Sequence, residues 1–140
     1  MDFSAIKNII FDLGGVILNI NFDYTFEAFG KLSGHDLPTM RQKFASLQVF
    51  EKYEAGEFDN AYMRDFLRKE LNINVSDEEI DRAWNAMLLD FPPERIELVK
   101  KLSSKYRLFL LSNTNPIHID YIDRLLKKEF NMPSLHPLFE

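Results

Sequence analysis

The chain contains no cysteine, which excludes disulfides and thiolate metal sites. It also lacks a long apolar run. The stretch from Ile9 to Leu18 is broken by Asp12 and two glycines, far short of the roughly twenty residues that a membrane-spanning helix needs. The same interruptions, with an acid already among the first seven residues, do not fit a secretory leader, so a cytoplasmic location is expected. Basic charge is not in excess: Lys and Arg number 17 against 22 Asp and Glu, for a formal net charge of −5. No basic stripe is present, and nucleic acid is not an expected partner. Histidine is sparse. His35, His118 and His136 are scattered without ligand spacing, and all three read as surface residues.

What the chain does have is apolar bulk. Its 140 residues are 46% hydrophobic and include thirteen Phe, enough for a compact, sizeable core. Ile6-Lys7-Asn8-Ile9-Ile10-Phe11 is a short strand-forming run that stops at the turn signal Asp12-Leu13-Gly14-Gly15. An uninterrupted Ile-Ile-Phe suits a strand of a parallel sheet, buried on both faces. From about Asp23 to Leu89 the period changes to that of helices, with Phe22, Phe26 and Phe29, then Met40, Phe44 and Leu47, then Tyr62, Phe66 and Leu67. Ser76-Asp77-Glu78-Glu79 has the form of a capping box, followed by Ile80, Ala83, Trp84 and Met87 on one face. Four or five helices are expected there, with Trp84 and the Phe positions in their core. Pro92-Pro93 then opens another helix. Arg107 to Leu111 reads as a second buried strand. After Ser112-Asn113-Thr114, Asn115 and Pro116 suit the cap and first position of a helix reaching about Phe130.

The fold class is therefore α/β: a parallel-sheet core over residues 1–18 and 90–140, interrupted by an all-helical insertion over 19–89. Two strands make a small sheet, and the sequence reads as ending before that sheet is complete. An unpaired apolar strand edge invites association, so homo-oligomers through the sheet edge are expected.

Open α/β sheets bind ligands beyond the carboxyl ends of their strands, and a polar cluster follows each strand here. Asp12 with Gly14 and Gly15 follows the first, and Ser112 with Asn113 and Thr114 follows the second. Were the strands parallel neighbours, both clusters would share one crevice. A carboxylate there can attack phosphorus, and a bound magnesium ion would relieve the repulsion between the two anions. The Ser112 hydroxyl and nearby amides can bind phosphate oxygens. The rival reading is plain: an Asp after a strand is often a turn residue, and Ser112 and Asn113 can be helix caps. Asn19, Asn21 and Asp23 lie just past the first cluster and are weaker candidates for substrate contact.

The segments Ile9-Ile10-Phe11-Asp12-Leu13-Gly14-Gly15-Val16 and Leu108-Phe109-Leu110-Leu111-Ser112-Asn113 resemble the first and second motifs of the haloacid dehalogenase (HAD) superfamily. The helical insertion, including Phe50 to Glu57, is similar to the cap of its cap-type-1 members. The resemblance spans essentially the whole chain and is nearest to bacterial sugar-phosphate phosphatases. It implies a Rossmannoid core and magnesium-dependent hydrolysis of a small-molecule phosphate ester through an aspartyl phosphate. It assigns Asp12 as nucleophile and metal ligand, the Gly14 carbonyl as a second metal ligand, Leu13 and Gly15 as amide donors to phosphate, and Ser112 with Asn113 as binders of the transferring group.

Two departures qualify these roles. Most phosphatases of the superfamily carry a second aspartate, a general acid, where this chain has Gly14; some sugar-phosphatase relatives share the Gly. This points to an acidic leaving group such as an anomeric phosphate. The superfamily's later lysine and acidic metal ligand are also missing. Lys127 and Lys128 lie on the helix directly after the second motif, too early to be that lysine. Activity of this chain is therefore expected to be impaired. The alternatives are haloacid dehalogenation, which needs no magnesium, and a non-catalytic chain that binds phosphate or a partner.

Overall fold

A computed structural model describes residues 5–140. In chain order the elements are strand β1 (Asn8–Phe11), helices α1 (Phe22–Ser33), α2 (Leu37–Ser46), α3 (Val49–Glu54), α4 (Asn60–Leu71), α5 (Asp77–Asn85) and α6 (Pro93–Ser103), strand β2 (Arg107–Leu110) and helix α7 (Pro116–Phe130), with a short 3-10 turn at His136–Leu138. This is the order read from the sequence: strand, helical insertion, helix, strand, helix. The chain divides into two compact units, one formed by the chain up to Ile20, Leu89–Asn113 and Ile122–Glu140, the other by Asn21–Leu88 and Thr114–Tyr121.

In the first unit β1 and β2 pair in parallel, with Asn8 opposite Arg107 and Phe11 opposite Leu110. The crossover between parallel strands needs a long connection, and α6 supplies its last part. Pro93 is preset for the first helical position, and Ile96 and Val99 bury the inner face of α6. The expectation of strands buried on both faces needs correction. Leu108 is buried, but Ile10 is 68% exposed and Leu111, just past β2, is 73% exposed. The reason is the pleat: alternate side chains point to opposite faces. Phe11 goes to the side where it meets Phe139 edge-on at 6.2 Å, whereas Ile10 faces a side that no helix layer covers among the described residues.

In the second unit the helices begin where short polar side chains accept from exposed amides. Asn21 accepts from Asp23 N, Asp36 from Thr39 N and Asp59 from Tyr62 N. At α5 the capping box is complete: Glu79 N donates to Ser76 Oγ at 3.2 Å and Ser76 N to Glu79 Oε2 at 2.9 Å. Phe29, Met40, Met63, Leu67 and Ile80 form the core, and Phe44, Phe50 and Trp84 continue it as near-parallel rings. Tyr53 is buried beside them and donates its hydroxyl to Asn60 Oδ1 at 2.7 Å; burial pushes its pKa up to about 12. Arg64 makes a forked pair with Asp81 (2.8 and 2.7 Å) that ties α4 to α5.

His118 also departs from expectation: it is buried, not a surface residue. Its ring stacks on Trp84 with centroids 5.1 Å apart. Asn115, the cap of α7, accepts from His118 N at 3.0 Å, and its amide nitrogen lies 3.1 Å from His118 Nδ1. With the Asn115 amide donating to Nδ1, the Nε2 proton is left to donate to the Trp84 carbonyl at 3.3 Å. The imidazole is thus held neutral in one tautomer, and burial pushes its pKa down to about 4.

Candidate active site

Parallel register places the residues that follow β1 and β2 at one end of the sheet. Leu111 N donates to Phe11 O at 2.9 Å, extending the ladder to the point where Asp12 and Ser112 begin. Asp12, Gly14, Ser112 and Asn113 line one cleft of about 450 Å³, with Ile10, Phe11, Ile20 and Leu111 as its apolar walls. Asp12 and Asn113 are exposed and Ser112 is half-buried. All of these residues belong to the first unit.

The turn after Asp12 is tightly closed. Leu13 is buried, and its carbonyl accepts from Ile17 N at 2.9 Å and Leu18 N at 3.0 Å. Leu13 N donates to Asp12 Oδ1 at 2.7 Å, which fixes the carboxylate and leaves Oδ2 without a hydrogen bond among the described residues. Gly15 has φ +75°, a region where only a residue without Cβ rests unstrained, and its amide donates to Leu18 O at 2.8 Å. The Gly15 amide is therefore committed to the turn, and the expectation that it faces a phosphate does not match this geometry. No amide among the described residues donates to the Gly14 carbonyl. A Cβ built at Gly14 would lie 3.0 Å from Ile20 Cδ1, so the side chain that fills this corner belongs to Ile20.

At the second strand end the Ser112 hydroxyl has one long contact, 3.5 Å to Asn113 O, and is otherwise uncommitted among the described residues. At the start of α7, His118 N serves the Asn115 side chain and Ile119 N its carbonyl. Of the weaker candidates, Asn19 joins Asp90 and Arg95 at 3.0 and 2.9 Å, Asn21 caps α1, and Asp23 pairs with Arg41. Their side chains are engaged in holding the fold.

The Asp12 carboxylate and the Gly14 carbonyl are hard oxygen donors of the kind magnesium takes, one or two from protein with water and phosphate completing the shell. Among the described residues no group of three His, Cys, Asp or Glu is arranged to hold a metal by itself. Among the described residues the cleft lining contains one carboxylate, Asp12, and neither lysine nor arginine. No helix of the described residues is long and apolar enough to cross a membrane.

No family model matches the chain. Among curated proteins it is similar to the D-ribitol-5-phosphate phosphatase of Bacteroides thetaiotaomicron, 33% identical over 111 residues that make up 79% of this chain and 54% of that protein. Among solved structures it is similar to a HAD family enzyme of the same organism in complex with magnesium and inorganic phosphate, with TM-score 0.86 and 34% identity over 97% of this chain and 67% of that one. A HAD-like family hydrolase of Porphyromonas gingivalis superposes with TM-score 0.83 at 26% identity, covering 98% of this chain and 65% of its own. The chain thus spans about half the length of the curated relative and about two thirds of the structural ones. Identity at this level, a shared fold over nearly the whole chain and the two strand-end clusters agree: the chain belongs to the haloacid dehalogenase (HAD) family.

Proposed function

We propose that the cleft at the strand ends hydrolyses the phosphate ester of a small metabolite, a sugar or polyol phosphate, with Asp12 as nucleophile. The observation that carries this reading is the meeting of Asp12 with Ser112 and Asn113 in one cleft, in a chain of the HAD family. Asp12 Oδ2, the oxygen not held by Leu13 N, attacks phosphorus as the bond to the ester oxygen breaks. The departing alkoxide takes a proton from water, because Gly14 offers no acid. Water then attacks the phosphorus of the aspartyl phosphate, restoring the carboxylate and releasing inorganic phosphate. The Ser112 hydroxyl and the Asn113 amide donate to the phosphoryl oxygens, and the Leu13 amide, now on Asp12 Oδ1, helps orient the carboxylate. Gly15 shapes the turn and gives no amide to phosphate. Asp12 and the Gly14 carbonyl would hold magnesium, which offsets the repulsion between carboxylate and phosphate and polarises the phosphoryl group. Support comes from the Bacteroides relatives, one named for a sugar-alcohol phosphate and one holding magnesium and phosphate.

Among the described residues the cleft presents no cationic side chain to the phosphate, and preorganised charge is usually the largest part of such catalysis. Turnover by this chain alone is accordingly slow. The test is release of phosphate from a panel of sugar 1-, 5- and 6-phosphates, with and without magnesium, by the chain and by Asp12→Asn. Magnesium-dependent release that falls on the order of 10³-fold or more in the variant is the expected result. Equal release by both proteins would overturn it, and halide release from a haloacid without metal would replace it with dehalogenation.

A further inference from the structure

A cavity of about 380 Å³ lies within the helical unit, in the size range that holds small-molecule ligands. It is lined from α1, α2, α3, α5 and the start of α7, and its walls are apolar: Phe44, Phe50, Trp84 and Met87 are among them. Phe44 and Phe50 stack at 5.3 Å, and Phe50 and Trp84 at 4.9 Å, so the wall is a continuous aromatic stack.

The charges at this cavity do not cancel. Arg41 is neutralised by Asp23 through two hydrogen bonds, Nε to Oδ1 at 2.9 Å and Nη2 to Oδ2 at 2.6 Å. His118 is neutral and its ring nitrogens are both committed. Glu54 remains, at the edge of the cavity, and no cation lies within ion-pair distance of it among the described residues. Glu54 is exposed to solvent, and partial desolvation and then Glu51 hold its carboxyl above the usual range. A carboxylate beside apolar walls gains most from a ligand that brings both a cation and an apolar body. A polyol chain would bury hydroxyls against rings that offer them no partner.

We propose that this cavity binds a small organic cation, a protonated amine carried on one apolar ring, with the ring among Phe44, Phe50 and Trp84 and the ammonium against Glu54. The site stands apart from phosphate hydrolysis in its chemistry and in its readout.

Trp84 is the chain's single tryptophan, so its emission reports the cavity directly. The test titrates the full chain with benzylammonium, benzyl alcohol and benzoate, following Trp84 fluorescence and the heat of binding. The expected result is saturable binding of benzylammonium with a Kd about two- to fivefold below that of benzyl alcohol, and weaker binding still of benzoate. Glu54→Gln should bring the amine and the alcohol to about equal affinity. Ala45→Phe, at an exposed lining position, should block all three by filling the cavity. No saturable binding, equal affinities for the three probes in the unaltered chain, or an amine preference that survives Glu54→Gln would each overturn the proposal.

Discussion

The helical unit and the sheet unit dispose of their apolar side chains in opposite ways. Phe29, Met40, Met63 and Ile80 are completely shielded within the helices, whereas Ile10 at β1 shows 68% of its surface and Leu111 beyond β2 shows 73%. Polar groups follow the reverse rule. Helix starts in the second unit are closed by Asn21, Asp36, Asp59 and Ser76, while at the strand ends Asp12 Oδ2 and the Ser112 hydroxyl have been left available. The contrast separates two tasks. One unit closes most of its polar groups within its own helices, and the other leaves oxygens open beyond its strand ends, on a turn held by backbone hydrogen bonds and by Leu13 N on Asp12.

Four changes would sharpen or break that comparison. Met63→Ala removes a fully buried side chain from the helical core and should cost about 2–5 kcal/mol, read from urea unfolding followed at Trp84. A loss below that range would mean that the helical core closes around the gap. Acid comes next. His118 has a folded pKa of about 4 against an ordinary 6.5, so the unfolded chain binds the extra proton between those values. Its neutral, buried form therefore supports the fold fully above pH 6.5, and that support drains away as pH falls towards 4, by about 3 kcal/mol over the whole window. His118→Phe should flatten this slope in a pH series of urea midpoints. Ser76→Ala opens the capping box and should cost about 1 kcal/mol. Leu111→Thr should change unfolding by less than about 0.5 kcal/mol, since the side chain is already in water. The same substitution should lower concentration-dependent association through the sheet in light scattering, and a strictly monomeric chain before substitution would remove that expectation.

Much of the fold was legible because its punctuation is local. Ser76 with Glu79, Asn115 with Pro116, and Pro93 after Pro92 each specify a helix start from side chains within a turn of it. The meeting of Asp12 and Ser112 followed from strand order, since two parallel strands side by side must bring their ends together. Three things were not legible. A run such as Ile9-Ile10-Phe11 says that a strand is apolar but not which layers cover it, and Ile10 is exposed despite its place in that run. The burial of His118 depends on Trp84, 34 residues away in sequence, which no spacing rule reaches. The fate of the Gly15 amide depends on Leu18 closing the turn, a backbone bond that side-chain identity does not announce.

The corner shared by Gly14 and Ile20 carries a consequence for how this site can change over generations. The position where most superfamily phosphatases keep their leaving-group acid is here filled from across the turn by a neighbour's methyl group, 3.0 Å from where any new Cβ would stand. A side chain arriving at Gly14 meets the far end of Ile20, which must give by a few tenths of an ångström to admit it. Exchange at Gly14 is thus coupled to the rotamer of Ile20, and a larger residue there is admitted once that methyl turns aside.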